Sequence, residues 1–433
     1  MSERLIKNFN EIATTPNRKT SLEIIEAGLD AINTEKVINS SVSLVNDILF
    51  IKGTSFNLAK YKNIKVVGFG KSSCEAALAL EKVLGSRIKK GAVIGLQKIN
   101  CQYIETFAGS HPVPSSLNIE AGKKIYETIK DSKEDDLIIV LVSGGGSALL
   151  CYPENEYTQG ARLYNAFLGS GKTISEINTI RKHLSLLKGG GLAKVAYPAT
   201  IVGLIFSDVP GDVFENVASG PTYKDKTAIE DAQKLITENN LGDFDLIETP
   251  KEDKYFDNVY NFVLVSNKIA VEEMAKKARE LSLEVNIVST DLYDEINTAL
   301  DKLFKSANSP KLDLGEPSGL VVLAAGEPKI LVKKGEGRGG RNLHMGLSAI
   351  KNKLIEKNSV FISFASDGMD NSDVAGAIVD NNTLEKIEKL NLNVDDYLER
   401  FDSYSFFEKT GDLIKTGPTG ANVSDLMILL TKK

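Results

Sequence analysis

Short apolar runs that end in glycine and give way to helical spacing set the pattern of this chain. Residues 1–40 read as helical, because Ser21-Leu-Glu-Ile-Ile-Glu-Ala-Gly-Leu29 places its apolar side chains three and four apart. Four near-continuous apolar runs follow: Ile64–Gly70, Ala92–Gln97, Leu137–Ser143 and Ala199–Ser207. Strands covered on both faces read this way, and strands alternating with helices predict βαβ units around a parallel sheet. After a polar, acidic stretch over Glu238–Asp257, a second series comprises Phe262–Ser266, Val285–Thr290, Leu320–Ala325 and Val360–Ala365, with helices expected over Ile269–Leu281 and Asn342–Leu354. The two series share an architecture without repeating at a fixed spacing. The expected class is α/β.

Length makes two domains the default, since 433 residues exceed what one core usually organises. The acidic stretch is the expected boundary, giving domains over 1–240 and 241–433. A formal net charge of −6 argues against a general nucleic-acid binder. It does not argue against a small anionic substrate, because local charge can oppose the global sign. Three cysteines, Cys74, Cys101 and Cys151, offer neither a disulfide framework nor a metal-binding spacing. The N-terminus lacks the apolar core of a signal peptide, and no run approaches 18 uninterrupted apolar residues. A cytoplasmic protein without nucleic-acid or membrane partners is expected.

Candidate chemistry sits at the carboxyl ends of the expected strands, where open α/β sheets place their ligands. Glycine there lets backbone N–H groups approach an anion, and a following helix adds a favourable dipole. Gly68-Phe-Gly70-Lys71-Ser72-Ser73 resembles a dinucleotide-binding finger. It ends in serine rather than glycine, and no acid follows the next strand, so a lysine aimed at phosphate or carboxylate is the better reading. Ser143-Gly144-Gly145-Gly146-Ser147 suits cradling of a phosphate or carboxylate; a mobile hinge is the structural alternative. In Thr179–Gly191, Arg181, Ser185 and Lys188 share a helical face that is either an anion site or a solvated basic surface. Two arginines among the glycines of Lys333–Asn342, including Gly339, Gly340 and Arg341, suit a bidentate grip on phosphoryl oxygens.

Two further loops supply carboxylates. Ser207-Asp208-Val-Pro-Gly-Asp212 and Ser366-Asp367-Gly-Met-Asp370-Asn-Ser-Asp373 both follow strands, and Asp208 and Asp367 are the better candidates for Mg²⁺. Ordinary turns use the same residue types. Gly169-Ser-Gly171-Lys172-Thr173 ends like a P-loop but has Ala166 where glycine is required, and reads as a helix-breaking turn. His111, in Gly109-Ser-His-Pro-Val-Pro114, either lines a pocket or packs structurally; with His183 and His344 it makes no zinc pattern.

Taken in order, these loops resemble the glycerate 2-kinase family that carries a C-terminal MOFRL domain. The resemblance runs through Gly68–Lys71, Gly109–Pro114, Ser143–Ala148, Ile177–His183, Ser207–Asp212, Ala218–Thr222, Gly339–Asn342 and Ala375–Asp380. It implies two three-layer α/β/α domains, the first Rossmann-like with a mainly parallel sheet and the second smaller with a mixed sheet. It implies Mg²⁺-ATP-dependent phosphorylation of D-glycerate at the 2-hydroxyl, in a cleft between domains, by a monomer or homodimer.

In that scheme Lys71 and Arg341 are the central cations. Asp208 or Asp367 orients the metal or the attacking hydroxyl. Gly70, Ser72, Ser143–Ser147, Arg181, Lys188, Gly339, Gly340 and Asn342 bind substrate or phosphate. The chain departs from the family in having Leu343 and His344 after Arg341-Asn342, where Gln-Glu is usual, and Asn371 where the Asp-Gly-x-Asp run usually continues with glycine. The competing expectations are an NAD(P)-dependent hydroxypyruvate reductase and a non-catalytic sensor of phosphorylated metabolites.

Overall fold

The structure is a computed structural model that describes residues 4–167, 174–209, 213–307, 319–332 and 337–432. Its chain divides into two compact units. The central unit runs from Thr34 to Val265, and the terminal unit joins residues up to Asn33 with those from Ser266 onward.

In the central unit β1 (Val42–Val45), β2 (Ile48–Ile51) and β3 (Thr54–Asn57) form a small antiparallel sheet. A six-stranded sheet contains β4 (Asn63–Phe69), β5 (Ile88–Gly95), β6 (Glu105–Ala108), β7 (Asp136–Ser143), β8 (Thr200–Phe206) and β9 (Val259–Val265). Its order is β6-β5-β4-β7-β8-β9, and every pairing is parallel. All eight residues of β7 are buried, as expected of a strand covered on both faces. Covering helices include Ser73–Leu84 and Ser116–Ile129. Neighbours β4 and β7 therefore deliver Gly70 and Gly144 to the same edge.

The terminal unit is built on β10 (Glu284–Leu292), β11 (Leu320–Gly326), β12 (Ser359–Ala365), β13 (Gly376–Asp380), β14 (Leu413–Ile414) and β15 (Asp425–Thr431). The order is β10-β11-β15-β12-β13-β14, with β15 antiparallel to both of its neighbours. Strands β11 and β12 thus run the same way, and the register aligns Gly326, Asp425 and Ala365 in one row at their carboxyl ends. The sheet is mixed and the class is α/β in both units.

The expected cut near residue 240 differs from the observed division in two ways. Strand β9, read as the opening of a second series, completes the first sheet beside β8, so the chain leaves the central unit only at Ser266. The N-terminal helix Pro16–Ala31 belongs with the second sheet. Arg18 fixes it there: the fully buried guanidinium donates to both carboxylate oxygens of Asp380 at 2.7 and 2.6 Å and to Asp412 at 2.8 Å. Removing one member of such a buried group leaves an uncompensated charge, at about 3–5 kcal/mol.

Candidate active site

At the β4–β7 edge two loops lock together. Gly70, at φ +128°, lets the first loop lie against the second: a Cβ on it would sit 2.3 Å from the Ser143 carbonyl oxygen. The Lys71 N–H donates to Gly144 O at 2.8 Å, the Ser72 N–H to Ser143 Oγ at 3.1 Å, and the Gly70 N–H to Ile94 O at 3.1 Å. Those amides are therefore engaged within the protein. Gly70 and Ser72, expected as anion ligands, instead aim the Lys71 side chain, and the Ser143 hydroxyl is committed to Ser72 and Ser73.

The second loop differs. Among the described residues, the N–H groups of Gly145, Gly146 and Ser147 donate to no backbone acceptor. Gly145 is left-handed at φ +77°, and a Cβ there would meet Lys71 at 3.0 Å and the His111 ring at 3.1 Å. Successive amides around a left-handed residue form a concave anion receptor. Its far side rests on Ala218-Ser219-Gly220, three consecutive left-handed residues, with Ser147 Oγ and Ser219 Oγ 2.8 Å apart and Ser219 Oγ 3.2 Å from Asn178 Oδ1. Backbone strain of that kind persists only where its surroundings over-determine it.

Charge converges on this receptor. Neither Lys71 nor Arg181 forms an ion pair among the described residues. His111 faces both: partial desolvation and the Lys71 and Arg181 cations push its imidazole down to about 4, so it is neutral at pH 7. Arg181 lies in the last turn of the helix Ile174–His183 and is half-buried. Burial pushes its pKa down while Glu156 and Tyr164 oppose the shift. Arg181 and Ser147 also line a cavity of about 20 Å³ with Pro112. Asp208, half-buried at the end of β8, approaches so closely that a Cβ on Gly144 would lie 2.1 Å from its Oδ2.

Lys188, expected to bind an anion, does not present a free charge. Its ammonium is buried against Glu156, which also accepts from the Tyr152 N–H at 2.9 Å. The Gly189–Gly191 turn is structural as well: Gly189 N–H donates to Ser219 O and Gly190 N–H to Gly220 O, at 2.9 and 2.8 Å.

The Arg341 loop holds a different arrangement. The helix Arg341–Lys351 begins after Gly339 and Gly340, but its first amides already bind an anion of the protein's own. Asp370 accepts from Asn342 N–H at 3.0 Å and from Leu343 N–H at 2.8 Å. A Cβ on Gly340 would fall 2.3 Å from its Oδ1, so glycine is what admits this carboxylate. Asn342, expected to touch substrate, is buried and fully used: Nδ2 donates to Asp370 and Asp425, and Oδ1 accepts from Ser363. No sequence motif marks Asp425; only the register that brings it beside Gly326 and Ala365 reveals it.

Arg341 pairs with Asp425 through Nε and approaches Glu327 at 3.5 Å. Burial pushes the Asp425 carboxyl up to about 7, against the pull of Arg341, and burial likewise raises Asp370. These groups line a cavity of about 470 Å³ that also receives the half-buried Asp367. Asp367 accepts from the Met369 N–H at 3.0 Å. No cluster of three or more His, Cys, Asp or Glu side chains suited to a metal occurs among the described residues. Asp212, the Gly169–Thr173 turn and Lys333–Glu336 lie outside the described residues.

A parallel sheet whose Gly144–Ser147 loop leaves amides open beside Lys71 and Arg181, followed by a mixed-sheet unit with an arginine-lined cavity, defines a class of α/β protein with candidate anion sites at its strand ends. Comparison with known proteins narrows the class. Residues 20–246 match a model described as a domain of unknown function (DUF4147), and residues 320–425 match the MOFRL family. A glycerate 2-kinase of Pyrococcus horikoshii is 32% identical, over 95% of this chain and 97% of its own. A solved structure titled glycerate kinase, from Thermotoga maritima, superposes with a TM-score of 0.83 at 30% identity, over 95% of this chain and 99% of the other. A putative hydroxypyruvate reductase of Agrobacterium vitis is 36% identical, over 84% of this chain and 86% of its own. The chain belongs to the MOFRL-type glycerate kinase family.

Proposed function

We propose that this chain is an ATP-dependent kinase that phosphorylates D-glycerate to 2-phosphoglycerate in the cytoplasm, as a monomer or homodimer. One observation supports it most: Lys71 and Arg181, without ion-pair partners among the described residues, flank the uncommitted amides of Gly145–Ser147 in a chain whose family includes glycerate 2-kinases.

The central loops take the acceptor. Its carboxylate sits on the Gly145–Ser147 amides and Arg181, and Lys71 stabilises the charge that spreads over the moving phosphoryl group. The 2-hydroxyl oxygen bonds to the γ-phosphorus as the bond to the β-bridging oxygen breaks. ADP leaves, and the hydroxyl proton passes to Asp208. Arg341 in the terminal unit binds phosphoryl oxygens of the nucleotide, held in place by Asp425. Asp367 and, as the alternative ligand, Asp208 fit Mg²⁺, which takes one or two carboxylates together with phosphate oxygens and water. Bound there, the metal would neutralise phosphate charge.

The test is ADP release with D-glycerate, with the product identified by ³¹P NMR. Accumulation of 2-phosphoglycerate supports the reading; no turnover of glycerate at any divalent metal concentration refutes it. The reductase name among the relatives motivates one control, NADH oxidation with hydroxypyruvate. The engaged Gly70 amide and the absence of an acid in Leu96-Gln97-Lys98 after β5 predict none.

A further inference from the structure

The Arg341 cavity does not end at the arginine. A second cavity, of about 690 Å³, opens beside it in the same terminal unit, and the two share Ile330, His344 and Phe401 as lining. His344 follows Arg341 by three positions on one helix, which puts both residues on one face. The His344 and Phe401 rings stack, with centroids 5.3 Å apart and planes 16° from parallel. Both are half-buried. Phe401 holds φ +54°, a left-handed conformation that bulky side chains rarely adopt. It closes the helix Val394–Glu399, where the Phe401 N–H donates to Leu398 O at 3.1 Å and the Asp402 N–H to Tyr397 O at 2.9 Å, and this turn fixes the Phe401 backbone beside His344.

We propose that the second cavity seats the base of a purine nucleotide, stacked on the His344–Phe401 pair, while its phosphates reach toward Arg341. This rests on the kinase reading and locates the nucleotide within it. Three features favour a flat, amine-bearing heterocycle over another anion. A planar aromatic wall gives stacking to any π-face. Burial lowers the His344 pKa below its ordinary value, so the ring meets the base as a neutral imidazole. The cavity lining carries the carboxylates of Glu295 and Glu399, which accept from an exocyclic amine, while its lysine, Lys351, is paired with Asp395 at 2.6 Å. Glu399 forms no ion pair among the described residues.

The experiment is steady-state kinetics of the full-length enzyme and its His344→Ala and Phe401→Leu variants. ATP, UTP and inorganic tripolyphosphate serve as donors, and circular dichroism confirms folding. Loss of one base–aromatic stacking contact predicts about a tenfold rise in KM for ATP in His344→Ala, with the KM for glycerate unchanged. The wild-type preference for ATP over UTP shrinks in the same variant, and tripolyphosphate is unaffected. Wild-type KM for ATP and unchanged donor preference in both folded variants would overturn the inference while leaving the kinase reading intact. Failure of the wild-type enzyme to phosphorylate glycerate is the separate outcome that removes the reading itself. If Phe401→Leu does not fold, His344→Ala decides alone.

Discussion

Two glycine-rich loops that look alike in sequence carry opposite electrostatics. The Gly144–Ser147 loop of the central unit gathers Lys71, Arg181 and a neutral His111 around open amides, with the Asp208 carboxylate against Gly144. The Gly339–Arg341 loop of the terminal unit gathers Asp370, Asp425 and Glu327 around one arginine that is already paired. The first leaves the amides of Gly145–Ser147 without a backbone acceptor among the described residues, as the proposed acceptor site requires. The second balances its cation with carboxylates, which suits a phosphate chain that arrives with a metal. Gly145 and Gly146 in the first loop leave amides open, while Gly144 there and Gly340 in the second each make room for a carboxylate, Asp208 and Asp370.

The largest expected effect breaks the first side of this comparison. Lys71→Ala leaves the loop amides in place but removes the charge aimed at the reacting group, and should lower kcat by about a thousandfold or more, as loss of a preorganised electrostatic contact does. Stopped assays on a variant with an unchanged melting temperature measure this. Near-normal turnover would remove Lys71 from the site.

Next is Arg181→Gln. Loss of a charge-assisted contact to the substrate carboxylate, roughly 1.5–3 kcal/mol, should raise the KM for glycerate by about 10- to 100-fold, with the KM for ATP unmoved. A rise in KM for ATP instead would transfer Arg181 to the nucleotide.

Asp425→Asn sharpens the second side. The carboxylate that holds Arg341 becomes a neutral amide of the same shape, so kcat should fall about tenfold, in the range seen for supporting contacts behind a primary ligand. The pH profile should change with it. Asp425 is raised to about 7 in the fold, so it loses its proton only as the pH rises through that value. Any kinetic inflection near neutrality should therefore disappear in the variant.

The smallest effect belongs to His111. Its folded pKa, about 4, lies below the ordinary imidazole value near 6.5. The fold favours the neutral ring, so its contribution to stability is complete above that ordinary value and is lost as pH falls through it toward 4. A carboxylate on Lys71 and Arg181 cancels two of the charges that depress it, and NMR titration should show the His111 pKa rising when glycerate is added.

Most of the scaffold was legible in the chain. The apolar runs became β4, β5, β7, β8, β11 and β12 because strands covered on both faces have little choice of composition, and the half-buried edge strand β10 followed from its shorter run Val285–Thr290. What escaped depended on partners distant in sequence. Strand β15, outside the runs that the sequence pattern marks, lies between β11 and β12 and sets the row that carries Asp425. The N-terminal helix gave no sign that Arg18 would reach Asp380 and Asp412.

The site was legible as a set of loops, with the roles inside it partly misread. Lys71, Arg181 and the triple glycine come together around His111. Lys188, Asn342, Gly70 and Ser72 read as ligands in the sequence because basic and small polar residues near glycine suit anions. In the fold they answer to Glu156, Asp370, Ile94 and Ser143. Residue type and spacing report what a group can bind; only the packed structure reports whether a protein partner has bound it first.

Calorimetric titration of the protein with D-glycerate and with ATP, each with Mg²⁺ and again with a chelator, tests the contrast between the two loops most directly. Glycerate should bind with the same affinity in both conditions, while ATP should lose at least about tenfold when the metal is removed, the share expected when acidic neighbours face uncompensated phosphate. Glycerate binding that requires Mg²⁺, or ATP binding indifferent to it, would contradict the account.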